Sequence, residues 1–182
     1  KMEEYDQELD QLLFYLPLAG SAFKKIYYDE TLGRAVSKFV APEDLIVPYY
    51  TTDLESCGRI TNIVKLSENE VKKLQNVGFY RDVSIELGDD ATQTSEVNLD
   101  IPGFEDMGDD GPTGVKLPYI VTIDSNSNQV LSIRRNFKEE DPLKNKIEYF
   151  VHFKFLPGLG FYGFGLTHMI GGLSKASTSI MR

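Results

Sequence analysis

The sequence predicts an α+β fold, in which antiparallel hairpins and a meander accompany an N-terminal helix, a short middle helix and a truncated C-terminal helix. Two patterns carry this prediction. Apolar residues recur at helical spacing near both chain ends, and they alternate with polar residues in several short runs between the ends. A chain of 182 residues is also long enough to bury a core. We therefore interpret residues 1–182 as a single domain.

The first predicted element is a helix from about Glu3 to Tyr15. It extends to Ala19 if Pro17 only bends it, and Gly20 is typical of the position that follows a helix. Its apolar face consists of Tyr5, Leu9, Leu12, Leu13 and Leu16. Acidic residues occupy the remaining face, so the helix is amphipathic.

Short strands are predicted next. Ala22–Tyr28 and Arg34–Val40 flank a loop that ends in Gly33, which is typical of a β-hairpin. Glu43–Val47 lies between two prolines, and proline is confined to the edges of sheets. We therefore expect Glu43–Val47 to be extended at an edge, followed by a strand at Arg59–Leu66.

The middle helix begins with a capping box. Ser67 precedes the helix and Glu70 occupies its third position, so that each side chain can bond to the other residue's backbone amide. Val71, Leu74 and Val77 then form the predicted buried stripe.

An acidic segment interrupts these patterns. Ten of the 28 acidic residues lie between Asp82 and Asp110, where there is no Lys or Arg, which leaves 18 acids against 19 basic residues elsewhere. We predict an acidic, flexible loop at residues 88–114. Its D-D-G-P run lacks the ligand spacing of an EF-hand, and the chain shows no basic stripe for tracking nucleic acid.

A meander follows the acidic segment. Tyr119, Val121 and Ile123 alternate with polar residues, and Leu131 and Ile133 alternate on the way back. The clearest strand is Ile147–Phe155. Its predicted buried face is Ile147, Tyr149, Val151, Phe153 and Phe155, while Glu148, Phe150, His152 and Lys154 face away.

The loop after this strand supports two interpretations. Gly158, Gly160 and Gly163 fit the dinucleotide-binding pattern G-x-G-x-x-G between a strand and a helix. Bulky rings at the variable positions, and the absence of a later ribose-binding acid, argue against nucleotide binding. We favour a packing loop formed by Gly158, Gly160, Phe161, Tyr162, Gly163 and Gly165. A nucleotide- or small-molecule-binding loop remains the alternative.

The last element is a predicted helix. Its apolar stripe is Leu166, Met169 or Ile170, Leu173, Ser177 and Ile180. Gly171 and Gly172 lie within it, which suggests that another backbone approaches closely there. The final residues lack a cap or a helix breaker, so we expect the chain to be a fragment of a longer protein.

No set of residues indicates catalysis, a cofactor or a metal. His152, His168 and Cys57 are the only His and Cys residues, and their spacing matches no metal-binding motif. The sequence contains no G-x-S-x-G elbow. No apolar run approaches the roughly 18 residues that span a bilayer. We therefore expect a protein that is not an enzyme.

Several blocks of the sequence resemble, in order, the portal (head-to-tail connector) proteins of short-tailed bacteriophages. KIEYFVHFKFLPGLGFYGFGLTHMIGGLSKASTSIMR, from Lys146, is similar to a portal strand, turn and long helix. YDQELDQLLFYLPLAGSAFKKIYYD from Tyr5, FVAPEDLIVPYYTTDLESCGRITNIVKLSENEVKKL from Phe39 and LPYIVTIDSNSNQVLSIRRNF from Leu117 resemble earlier portal segments. The resemblance covers nearly the whole chain apart from the acidic segment.

The resemblance implies a structural role rather than catalysis. Portals form rings, typically of twelve copies, at one capsid vertex, and genomic DNA is packaged and ejected through them. The implied partners are other copies of the chain, the terminase, the capsid and tail-adaptor proteins, without a membrane. The chain would be the wing region, present in the virion and in the host cytoplasm during assembly, and DNA would pass through the ring without binding this region.

Overall fold

The computed structural model describes residues 4–29, 32–83, 92–108 and 111–181. It contains helices and antiparallel sheets, with an N-terminal, a middle and a C-terminal helix, as the α+β prediction requires. Contacts divide the chain into two compact units, whereas the sequence was interpreted as a single domain. Unit 1 is Lys1–Glu43, Tyr49–Ser56 and Glu148–Arg182, and unit 2 is Asp44–Pro48 and Cys57–Ile147.

Unit 1 combines helices α1 (Tyr5–Ala19) and α3 (Leu166–Ile180) with a three-stranded antiparallel sheet. The sheet consists of β1 (Ser21–Asp29), β2 (Arg34–Val40) and β8 (Phe150–Lys154), in the order β2-β1-β8. Because β1 is the central strand, its first four residues are buried.

Helix α1 packs against the hairpin of β1 and β2 through an aromatic contact and through hydrogen bonds. Tyr15 packs on Phe39 with ring centroids 5.1 Å apart. The Glu4 carboxylate accepts two hydrogen bonds from the Arg34 guanidinium, the bond from Nη1 being 2.7 Å long. The Glu8 carboxylate accepts from the Phe39 amide. The predicted helix is confirmed as far as Ala19, with Pro17 inside it and Gly20 as its left-handed cap.

Unit 2 is built on a five-stranded antiparallel sheet. Its strands are β3 (Leu45–Ile46), β4 (Arg59–Leu66), β5 (Thr92–Gly108), β6 (Gly111–Asp124) and β7 (Val130–Arg135), and they lie in this order across the sheet. The short β3 lies at an edge and pairs only with β4 among the described strands. The strand at Arg59–Leu66 is therefore confirmed. Of Glu43–Val47, only Leu45–Ile46 is an edge strand, because Pro42–Asp44 forms a 3-10 helix.

Helix α2 (Glu68–Asn76) covers the core of unit 2. The predicted capping box is present, with the Ser67 amide donating to Glu70 at 2.8 Å and the Glu70 amide donating to Ser67 at 3.4 Å. Val71 packs with Tyr80 and Leu131 in a buried cluster. Val77 is exposed, contrary to the prediction, because α2 ends one residue before it.

The prediction of a flexible loop at residues 88–114 is wrong for 92–108 and 111–114, which belong to β5 and β6. Residues 88–91 and 109–110 lie outside the described part. β5 pairs with β4 on one side and with β6 on the other. Backbone groups of any non-proline residue can form such a ladder, so a polar segment without apolar alternation can still become a strand.

The predicted strand Ile147–Phe155 is shorter than expected, and the burial of its two faces agrees only in part with the prediction. Only Phe150–Lys154 forms β8. Phe150 is buried and His152 is partly buried, although both were expected to face away, whereas Val151 and Phe155 are exposed. Phe153 is partly buried, and Glu148 and Lys154 are exposed as predicted. The chain that follows β8 contributes to this difference, because it places the Phe161 ring against His152.

The apolar stripe of α3 is not buried within the described chain. Leu166, Met169, Ile170, Leu173 and Ile180 are all exposed. A Cβ atom added at Gly171 or Gly172 would meet nothing within 4 Å. The close backbone approach expected at these glycines is therefore absent from the part of the chain that the structure describes.

Candidate functional site

The candidate site is the junction between β8 and α3 in unit 1. We call residues 155–165 the glycine–aromatic loop. Its two arms meet at an isolated bridge, where the Phe164 amide donates to the Leu156 carbonyl at 2.8 Å. The first arm is tied to the end of α1 as well, because the Phe155 amide donates to the Gly20 carbonyl at 3.0 Å.

Three glycines allow backbone segments to cross at this junction. Gly20 has a φ of 85°, a left-handed conformation that favours glycine. A Cβ atom on Gly163 would lie 2.7 Å from the Leu156 carbonyl oxygen, and one on Gly165 would lie 2.6 Å from the Gly20 nitrogen. Both distances are shorter than van der Waals contact, so the crossing requires glycine at Gly163 and Gly165.

The other two glycines of the predicted packing loop differ from each other. A Cβ atom on Gly158 would lie 2.5 Å from the Tyr162 carbonyl oxygen, so the loop itself fills the space around this residue. A Cβ atom on Gly160 would meet nothing within 4 Å. Gly160 therefore has no packing role visible in the described structure, although the sequence motif singles it out.

The loop's rings divide between the core and the surface. Phe161 is buried, with its ring centroid 4.6 Å from that of His152 and 5.9 Å from that of Phe23. His152 and Phe23 stack on each other at 4.4 Å. Tyr162 meets the Phe161 ring edge-on at 5.0 Å and remains half exposed, and its partial burial raises the pKa of the Tyr162 hydroxyl.

A buried serine joins these parts. The Gly163 amide donates to Ser21 Oγ at 2.8 Å, and His152 Nε2 lies 3.2 Å from the same oxygen. Burial lowers the pKa of His152 to about 4, with a smaller contribution from the charge of Lys154. His152 is therefore a neutral, packed imidazole near pH 7, rather than an exposed acid–base group.

The orientation of the loop's amides bears on the alternative of phosphate binding. Besides Gly163 and Phe164, the Gly165 amide also donates within the chain, to His168 Nδ1 at 3.2 Å. A phosphate cradle needs backbone amides that point at the ligand. These three amides are already paired with atoms of the chain, so this end of the loop acts as a packing junction.

The N-terminus of α3 is fixed to the C-terminus of α1. The Thr167 hydroxyl donates to the Leu18 carbonyl at 2.9 Å. Sequence reasoning identified the loop's glycines and rings but not the partners Gly20 and Ser21. Gly20 carried only the signal of a helix end, and a lone serine in a strand gave no signal that it would receive an amide 142 positions away.

Neither a metal-binding cluster nor a membrane-spanning helix lies within the described residues. No group of three or more His, Cys, Asp or Glu side chains is arranged to hold a metal ion there. No helix in the described ranges is long and apolar enough to cross a bilayer. The aspartates of the D-D-G-P run, Asp109 and Asp110, lie outside those ranges.

Comparison of the chain with protein-family models gave no match, and comparison with curated proteins gave none. The geometry of the glycine–aromatic loop and the sequence blocks are therefore the basis for a functional proposal.

Proposed function

We propose that this chain is the wing region of a bacteriophage portal subunit. In this role it is a structural component of the ring through which genomic DNA is packaged into the capsid and later ejected, and which connects head to tail. The observation that carries the proposal is the order of the portal-like blocks, which begin at Tyr5, Phe39, Leu117 and Lys146 and extend over nearly the whole chain.

The glycine–aromatic loop supports a structural role. The portal-like block from Lys146 contains this loop, in which Gly163 and Gly165 allow the backbone crossing while Phe161 is buried. The amides of Gly163, Phe164 and Gly165 bond within the chain. A junction of this kind fixes the orientation of a helix relative to a strand. A subunit of a ring needs such a fixed shape.

The exposed helix α3 also fits an assembly protein. Its apolar residues include Leu173, which is 72% exposed, and Ile180, which is 85% exposed. Large apolar surfaces of soluble proteins commonly mark interaction sites. The proposed subunit is not an enzyme and needs no cofactor. Its partners are further copies of itself, the terminase, the capsid and tail-adaptor proteins.

Electron microscopy of the intact subunit tests this proposal. The subunit that contains this chain should form rings of about twelve copies when purified under assembly conditions, as the family resemblance implies. Mass photometry should give the matching mass. A subunit that stays monomeric, with no rings in the images, would refute the proposal.

Nucleotide binding is the alternative, and one observation favours it: Gly158, Gly160 and Gly163 lie between strand β8 and helix α3. Titration calorimetry with mono- and dinucleotides separates the two proposals. Gly160→Val is the sharpest variant, because the space around Gly160 is open and the substitution should leave the fold intact. Nucleotide binding that this variant abolishes would support the alternative.

A further inference from the structure

The open edge of strand β8 has a hydrogen-bonding pattern that can be read from its pairing with β1. The Phe155 amide donates to the Gly20 carbonyl at 3.0 Å, and the Ile26 amide donates to the Tyr149 carbonyl at 2.7 Å. In an antiparallel ladder, every second residue bonds to the partner strand. The backbone groups of Phe150, His152 and Lys154 therefore point away from β1.

These outward groups have no strand beside them in the described chain. β8 pairs only with β1 among the described strands, which leaves it at the edge of the sheet. We call the outward amides and carbonyls of Phe150, His152 and Lys154 the β8 edge. Unpaired groups of this kind are a template for another extended chain.

A cleft runs along the β8 edge. Its volume is about 440 Å³, and all its lining residues belong to unit 1. Its lining comes from two segments of the chain, residues 52–55 and Glu148 with most of β8. β8 has five residues, and an extended chain rises about 3.3 Å per residue, so an extended peptide of about five residues has the length of this edge.

The charge of the cleft is mainly negative. Asp53, Glu55 and Glu148 line it, opposed by Lys154 alone among lysines and arginines. Within the described residues, the carboxylates of Glu55 and Glu148 have no cationic partner in an ion pair. A basic chain would supply the missing charge.

We propose that the β8 edge binds an extended, lysine- or arginine-bearing peptide segment of a partner protein by adding it as a fourth strand to the sheet. Backbone hydrogen bonds to Phe150, His152 and Lys154 hold the peptide, while the acidic cleft selects its charge. The proposal is independent of the portal assignment, because it uses only the geometry of β8 and segment 52–55.

Three labelled heptapeptides test the proposal on the 182-residue chain by fluorescence anisotropy. The first alternates Lys with Val, the second alternates Glu with Val, and the third alternates Lys with Pro. The Lys–Val peptide should bind saturably and at least tenfold more tightly than the Glu–Val peptide. The Lys–Pro peptide has the same charge but cannot form a ladder, so its binding should be much weaker.

Lys154 offers a matched pair of variants. Lys154→Pro removes one outward amide but none of the amides that bond to β1, whereas Lys154→Gln keeps that amide and removes the same charge. Loss of one backbone hydrogen bond should weaken Lys–Val binding about fivefold relative to Lys154→Gln. Glu55→Gln should weaken binding about threefold, and Glu140→Gln, outside the cleft, should not change it.

Amide chemical-shift mapping provides a readout that does not depend on any variant. On addition of the Lys–Val peptide, the amides of Phe150, His152 and Lys154 should shift more than those of Val151 and Phe153. The proposal is overturned if Lys–Pro binds as tightly as Lys–Val, or if the two Lys154 variants behave alike. It is also overturned if the β8 edge proves to be covered by a second copy of the chain.

Discussion

The backbone amide of Gly163 donates to the hydroxyl oxygen of Ser21 at 2.8 Å, a bond that joins positions 142 residues apart. Both residues are buried. Ser21 directly follows the cap of α1, and Gly163 lies just before α3. This hydrogen bond therefore connects the start of the first strand of unit 1 to the loop that leads into its last helix. The stability of the junction should therefore depend on this pair and on the glycines that allow it.

Gly163→Ala should destabilise unit 1. The added Cβ would meet the Leu156 carbonyl oxygen at 2.7 Å, and the backbone there has no room to move without breaking the bridge between Leu156 and Phe164. We expect a loss of about 1–3 kcal/mol, as for other overpacked sites. The urea midpoint followed by near-ultraviolet circular dichroism measures it. Gly160→Ala is the control and should leave the free energy of unfolding unchanged, since the space around Gly160 is open. An equal loss of stability in both variants would contradict the requirement for glycine at Gly163.

Ser21→Ala should also destabilise unit 1. It removes the acceptor of the Gly163 amide and the partner of His152 Nε2, and a buried unsatisfied donor costs about 1–3 kcal/mol. Ser37→Ala in the neighbouring strand is the matched control. Ser37 is equally buried, but its hydroxyl has no hydrogen-bond partner among the described residues. This control should be neutral or slightly stabilising in urea unfolding, and a reversed order of the two variants would refute the role given to Ser21.

Stability should fall with acid over a defined pH window because of His152. Its pKa is lowered from 6.5 to about 4 in the folded protein, mainly by burial. The unfolded chain therefore binds the proton more tightly, so stability is complete above pH 6.5 and is lost as the pH falls toward 4. After allowance for solvent screening at this partly buried group, the loss should be about 1–2 kcal/mol.

His152→Gln separates this effect from other titrations. The urea midpoint, measured between pH 7.5 and 5, should depend less steeply on pH in the variant than in the wild-type chain. Glu4 does not interfere in this range, because its hydrogen bond from Arg34 lowers its pKa from 4.5 to about 2. The contribution of Glu4 to the free energy of unfolding is present above pH 4.5 and is lost only as the pH falls below that value. Identical slopes in variant and wild type would exclude His152 as the cause.

Leu131→Ala should destabilise unit 2. Leu131 is 1% exposed and packs with Val71 and Tyr80, so truncation leaves a cavity that costs about 2–5 kcal/mol. Leu143→Ala removes the same atoms from a side chain that is 78% exposed, and should cost less than about 0.5 kcal/mol. Thermal unfolding by circular dichroism compares the two, and similar melting temperatures would contradict the assignment of the core.

Local patterns in the sequence predicted the elements that depend on local interactions. The spacing of Leu9, Leu12 and Leu16 identified α1, and the pair Ser67 and Glu70 identified the start of α2. The hairpin around Gly33 was also predicted correctly. In each case the deciding contacts lie within a few residues along the chain, where helix periodicity, caps and turns leave a direct mark on the residue types.

Contacts between distant residues decided the rest. β5 was missed because its ladder with β4 and β6 uses backbone groups, which leave no apolar pattern. The burial of Phe150 and His152 in β8 was missed because they share a face of the strand with the polar residues Glu148 and Lys154, and no local pattern shows that Phe161 packs against His152. The glycine–aromatic loop was recognised by its composition. That Gly163 must be glycine, whereas Gly160 need not be, depends on the backbone of Gly20, which the tertiary structure alone brings to it.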